Sequence, residues 1–185
     1  MRKLIAIMNM TLDGFCDHTS GIADEETHRH YADVINSADT IIYGRTTYQL
    51  MADYWPLIVK QPTGEKSTDD FAIAIDKIEK LVFSTTLKQL DWGTARLATK
   101  SLEEETAELK SAEGGDIQVG SPSMIVQLLN LGLVDELQIA VHPLIAGNGL
   151  SLFKKINERI DLELLKTKTF KCGIVLFYYS KSGKA

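Results

Sequence analysis

Apolar residues run almost unbroken through Leu4–Met8, then recur at Ile41–Tyr43, Leu81–Phe83 and Ile139–Val141. Short continuous runs of this kind predict strands buried on both faces of a sheet. They place strands over "KLIAIMNM" (3–10), "TIIYG" (40–44), "KLVFST" (80–85), "DIQVGS" (116–121) and "ELQIAVHPLI" (136–145), with a further short strand at "ARLAT" (95–99). Between them the apolar period lengthens to that of a helix. In "DEETHRHYADVINSAD", Tyr31, Val34, Ile35 and Ala38 form one stripe; Asp24 is the expected N-cap and acids fill the first turn. A second helix is expected from Thr46 to Tyr54, followed by a surface loop marked by Pro56 and "KQPTGEKSTDD", then a short helix over "DFAIAIDKI". "SLEEETAELKS" carries a capping box, Ser101 with Glu104. In "SPSMIVQLLNLG", Ser121 can cap, Pro122 can take the first helical position and Gly132 can end the helix. "TFKCGIVLFYYSK" reads as a hairpin turning near Cys172-Gly173.

Strands alternate with helices through residue 141 and then give way to strand-rich sequence. That order predicts one α/β domain over 1–185, with a largely parallel sheet that gains antiparallel strands at its end. The 185 residues suffice for a core without metal or disulfide. A net charge of −5, with no Lys/Arg stripe, argues against a nucleic-acid partner. The first apolar run is too short for a signal peptide, and no run approaches a membrane span. Cys16 and Cys172 stand far apart with no CxxC, which fits a reducing, cytoplasmic setting.

Two turns carry candidate chemistry. In "IIYGRTTYQLM" a buried strand ends at Tyr43, Gly44 bends, and Thr46 or Thr47 opens a helix whose free N–H groups and positive dipole end favour an anion. Arg45 adds a planar fork of donors suited to phosphate. The alternative is a plain turn with a surface arginine. In "IQVGSPS" a strand again enters a glycine, Gly120, with Ser121 and Ser123 at the helix start. Two such turns at the ends of parallel strands would border one crevice. No G-x-G-x-x-G fingerprint or P-loop is present; "GNG" at 147–149 reads as a loop that needs its glycines for backbone conformation.

Cys16, His18, His28 and His30 lie close in sequence, yet residues two apart on a helix point about 200° apart, so no metal site is expected. No serine or cysteine has a convincing base and orienting acid, so covalent catalysis is not indicated.

Taken together, "TLDGF" (11–15), "GRTTY" (44–48), "VFST" (82–85), "VGSPSMIVQLLNLGLVDELQIAVHPLIAGNGLSLF" (119–153) and "FKCGIVLFYY" resemble the dihydrofolate-reductase-like fold. The nearer likeness is to its riboflavin-biosynthesis branch, the C-terminal reductase domain of the bifunctional deaminase–reductase. The likeness is colinear over nearly the whole chain. It implies a three-layer domain: a central mixed, mostly parallel sheet, helices on both faces and a C-terminal antiparallel hairpin. It implies NADPH as cofactor, a small heterocyclic substrate such as 5-amino-6-(5-phosphoribosylamino)uracil, and a homodimer. The apolar run "GIVLFYY" gives the dimer a further motive, since one of its faces needs a cover.

By resemblance, Gly44, Arg45, Thr46 and Thr47 fall where relatives hold the adenosine-side phosphates. Ser84 and Thr85 follow the strand on the adenine side, and Gly120, Ser121 and Ser123 form the pyrophosphate turn. That turn usually reads Gly-Gly, so Ser121 is a departure. Asp13 and Gly14 fall in the loop expected to close over the nicotinamide. His28 occupies the helix position where folate-reducing members carry an acid, and it is the candidate proton donor or substrate ligand, with Glu25 and Glu26 nearby. Two other readings stay open: a non-catalytic nucleotide- or small-molecule-binding protein that keeps the fold, and a dihydrofolate reductase.

Overall fold

Each buried apolar run becomes a strand of one eight-stranded sheet, in the order β4-β3-β2-β5-β1-β6-β8-β7. The computed structural model describes residues 1–18, 21 and 24–182. In chain order these give β1 (Leu4–Thr11), α1 (Glu25–Asn36), β2 (Ala38–Gly44), α2 (Arg45–Lys60), α3 (Lys66–Lys77), β3 (Glu79–Phe83) and β4 (Ala95–Leu97). Then follow α4 (Leu102–Ser111), β5 (Asp116–Val119), α5 (Pro122–Asn130), β6 (Glu136–His142), β7 (Leu162–Thr169) and β8 (Val175–Lys181). The first six strands pair in parallel, and β8 joins β6 and β7 antiparallel. The chain is thus a mixed, mostly parallel sheet with helices on both faces and a C-terminal hairpin.

The layering follows from the crossovers. The β1–α1–β2 connection steps over β5 toward the β4 edge, whereas β5–α5–β6 steps over β1 toward the β7 edge. Right-handed crossovers in opposite directions lay their helices on opposite faces. Accordingly Ala32 and Ile35 of α1, Tyr48 of α2 and Ile75 of α3 pack on Ile41, Tyr43 and Val82. On the other face Met124, Ile125 and Leu128 of α5 pack on Leu4, Ala6, Ile42 and Leu81. Alternate residues of β2 serve the two cores, which is why its sequence shows no polar alternation.

The structure corrects several boundaries. Helix α2 does not stop before Pro56 but carries it inside and ends at Lys60. Pro56 costs the helix a hydrogen bond, yet Met51, Ala52 and Trp55 anchor that stretch against the Tyr48–Ile75 cluster, and packing overrides the break. The loop after it is shorter than expected, because α3 starts at Lys66. There the Asp69 carboxylate accepts from the Thr63 and Gly64 N–H groups and fixes the turn. The hairpin turns at Cys172-Gly173 as expected, but its first strand reaches back to Leu162. That strand is an exposed edge and lacks the buried face that periodicity detects. The caps at Asp24 and Ser101 form as read, both as capping boxes. Gly132, at φ +68°, ends α5, with Leu133 N–H donating to the Leu128 carbonyl.

Candidate active site

The turns after β1, β2, β3 and β5 all emerge on one edge of the sheet, because these strands are parallel neighbours. The turns after β2 and β5 are directly bonded. The buried Gly44 N–H donates to the Ser121 hydroxyl at 2.8 Å. Ser121 therefore does not cap its own helix, contrary to the sequence reading; its hydroxyl links the two turns instead. Its backbone is extended, at φ −104° and ψ 124°, so a serine sits there without strain. The two turns are in ordinary contact here: a Cβ on Gly44 would lie 3.4 Å from the Ser123 hydroxyl and 3.6 Å from Met124, and its φ of −83° suits any residue.

The starts of α2 and α5 thus stand side by side, and they differ from the other helix starts in having no acid in the first turn; like α3, they also lack a side-chain cap. In contrast, α1, α3 and α4 carry Glu25 and Glu26, Asp69, and Glu103–Glu105 there. Two adjacent positive dipole ends are left uncompensated. Arg45 and Thr46 are exposed at the first of them, with Thr47 half-buried, and Ser123 is exposed at the second. Arg45 forms no ion pair among the described residues. Gly120 is half-buried, its Cα side facing the Tyr43 ring. Ser84 closes the turn after β3, its hydroxyl accepting from Thr86 and Leu87 N–H, and Thr85 stands exposed beside it.

The "TLDGF" bend has a second job besides turning. Thr11 N–H donates to the Phe15 carbonyl at 2.8 Å across Gly14, whose φ is +88°. The Asp13 carboxylate accepts from the Thr11 hydroxyl at 2.6 Å and from Ala146 and Gly147 N–H at 3.1 and 2.7 Å. These bonds hold it at a pKa of about 2, the Thr11 hydroxyl first among them. Asp17 likewise accepts from Leu150 N–H at 2.7 Å. The loop after β1 is therefore laced to the 143–150 loop. Gly149, at φ +143°, is obligatory there, since a Cβ would collide with the Asp17 carboxylate. The "GNG" segment needs its glycines for backbone geometry, as expected.

Along β1, pairing with β5 ends at Ala6–Val119, while pairing with β6 continues to Thr11–His142. From Ile7 onward the β5 side of the central strand is open, because β5 has turned away at Gly120. Asn9 lies on this stretch and is exposed. Its Oδ1 accepts from the Tyr31 hydroxyl at 2.9 Å and lies 3.2 Å from His142 Nε2.

The RibD C-terminal domain model matches residues 2–176. The chain belongs to that family. YyaP of Bacillus subtilis (strain 168) is 34% identical over 186 residues, covering 98% of this chain and 96% of YyaP. The fold resembles a pyrimidine reductase-like protein from Corynebacterium diphtheriae, with a TM-score of 0.68, 16% identity and coverage of 99% and 93%. It also resembles Enterococcus faecalis dihydrofolate reductase complexed with NADP(H), with a TM-score of 0.63, 14% identity and coverage of 97% and 96%.

The donor set of this RibD C-terminal domain fits a phosphate-bearing dinucleotide. Two acid-free helix starts, bonded through Ser121, offer N–H groups to a polyanion, and Arg45, Thr46 and Ser123 add side-chain donors.

His28 is placed differently from these groups. It projects between α1, α2 and α3, with Nδ1 3.1 Å from the Thr68 hydroxyl. Its ring lies edge-on to Trp55 at 6.4 Å and tilted against Phe71 at 6.1 Å. Burial holds its pKa below the ordinary histidine value, which favours the neutral ring at pH 7. Sequence reasoning missed the Asn9–Tyr31–His142 cluster. The signal was there: Asn9 is the one polar residue in "LIAIMNM", and a polar side chain inside a doubly buried strand needs a reason.

Proposed function

We propose that the chain is an NADPH-dependent reductase that transfers a hydride to a small heterocycle, with a pyrimidine as the substrate class. The observation that carries this reading is the Ser121–Gly44 bond, which brings two acid-free helix starts and Arg45 together at the crevice edge. NADPH, when bound, would supply a hydride; an electrophilic carbon of the substrate gains it, and the heteroatom bonded to that carbon gains a proton. The chain's own part is to bind and orient. Gly44–Thr47 would hold the adenosine-side phosphates, Arg45 giving charge-assisted bonds to a 2′-phosphate. Gly120, Ser121 and Ser123 would hold the pyrophosphate, and the open stretch of β1 would border the reacting rings. The pyrimidine class is supported by family membership and by the likeness to a pyrimidine reductase-like protein. The ribosylamino-pyrimidine of riboflavin synthesis is the named case.

One observation favours a second reading, a binding protein without turnover. The α1 position that carries an acid in folate-reducing members holds His28, which is neutral and bonded to Thr68. Substrate-dependent NADPH oxidation with reducible pyrimidines and with dihydrofolate separates the readings. Complementation of a bacterial strain lacking the pathway reductase then tests the named substrate. Turnover of a pyrimidine is expected, and soluble expression with no turnover on either class would favour the binding protein.

A further inference from the structure

Exposure along one face of β1 peaks at a single position: Ile5 is buried, Ile7 half-buried, Asn9 exposed, and Thr11 beyond it is buried again. Side chains in the middle of such a sheet are ordinarily covered by helices, so an exposed asparagine there lines a gap. Asn9 stands two positions past Ile7, the first residue beyond the last β5 pair. That is about 7 Å along the strand from the level of the Gly120 turn.

The asparagine is not loose. Its oxygen accepts from the Tyr31 hydroxyl at 2.9 Å and lies 3.2 Å from His142 Nε2, which donates to it in the Nε2–H tautomer. Tyr31 projects from α1 and His142 from the end of β6, so two separate elements fix the plane of the amide. Burial pushes the Tyr31 phenol up and the His142 imidazole down, so across the neutral range the first remains a donor and the second is uncharged. The amide nitrogen is left over. Its two N–H groups have no hydrogen-bond partner among the described residues, and the side chain that carries them is exposed.

We propose that Asn9 reads the substrate, its amide nitrogen donating to a ring carbonyl of the heterocycle while Tyr31 and His142 hold its oxygen. This rests on the reading of the site as a heterocycle reductase. A fixed donor selects rings whose edge accepts, such as a pyrimidinedione, and rejects a protonated diamino ring whose edge donates. Tyr31 and His142 are positioning residues, acting through Asn9.

The test compares 5-aminouracil with 2,4-diaminopyrimidine as probes, by ligand-observed NMR titration, with and without NADPH. The native chain should prefer 5-aminouracil by roughly tenfold, the scale of one desolvated hydrogen bond. Asn9→Ala should erase the preference. Asn9→Asp, which only accepts, should reverse it toward the protonated diamino ring. Tyr31→Phe keeps the ring and removes the donor that holds Oδ1, and the preference should fall several-fold with native circular dichroism. It serves as the test if the Asn9 variants do not fold. An equal response to both probes in the native chain, or a preference unchanged in the Asn9 variants or in Tyr31→Phe, overturns the assignment. Failure of NADPH to bind would instead overturn the reductase reading, since the probe pair reports on Asn9 without cofactor.

Discussion

Replacing Ser121 with alanine removes one hydroxyl and orphans one buried donor. The Gly44 N–H that it accepts at 2.8 Å lies in the interior, and Ser121 itself is 1% exposed, so water cannot readily replace the lost oxygen. An unsatisfied buried N–H costs about 1–3 kcal/mol. Taking the middle of that range, and the slope for a domain of this size, Tm should fall by roughly 4–8 °C. Ser121→Gly gives the Gly-Gly turn that the resemblance implies, yet it should be worse. The backbone at 121 is extended and gains nothing from glycine, while the unfolded chain gains freedom worth about 0.4–1 kcal/mol. The expected order is therefore Ser above Ala above Gly. NADPH affinity should weaken several-fold in both variants, because the two helix starts lose their tie. Thermal denaturation and fluorescence titration of NADPH on the three proteins read both effects. A Ser121→Gly protein as stable as the native one, with unchanged NADPH affinity, would refute the reasoning.

Other outcomes are expected from the same geometry. Arg45→Ala should weaken NADPH more than NADH, by roughly 1–3 kcal/mol for a lost charged partner, as read by calorimetry. Asp13→Asn should loosen the 143–150 loop. The native carboxylate is stabilising above its ordinary pKa, and this is lost as pH falls toward about 2, so the variant's acid unfolding should begin from a lower baseline and show a shallower pH dependence. His30 is half-buried beside Lys168, and burial first, then the lysine charge, lowers its pKa to about 4. The unfolded chain takes up that proton first, so stability should decline from about pH 6.5 toward pH 4, and His30→Gln should flatten the decline in Tm-versus-pH scans. We also propose a homodimer, for which Leu162, Leu164 and Leu165 form an exposed apolar patch on the β7 edge. Light scattering should give a mass near twice 20.6 kDa at micromolar concentration, and a monomer would count against it.

The residues that announced themselves in the sequence were those governed by local rules. Continuous apolar runs marked the buried strands, and Asp24, Ser101, Pro122 and Gly132 marked helix ends through backbone bonds that need only a few neighbours. The two phosphate-type turns were legible for the same reason. Their contact was not, because it depends on β5 lying beside β2, a pairing of residues 77 positions apart. Ser121 was read as a cap since a serine at a helix start usually is one; tertiary geometry redirected its hydroxyl. Pro56 misled because packing of the flanking residues outweighed a local rule. Strand β7 escaped because an exposed edge strand has no buried face to write into its sequence. Asn9 was visible only as an interruption, and its meaning depended on Tyr31 and His142, which come from other elements.

The central claim is that this RibD C-terminal domain holds NADPH across the paired turns and discriminates it from NADH. Calorimetric titration of the purified chain with each nucleotide tests that most directly. The account predicts one NADPH per chain, bound at least about tenfold more tightly than NADH, the scale of one charge-assisted contact at Arg45. Equal affinity for the two nucleotides, or no heat with either, would contradict it.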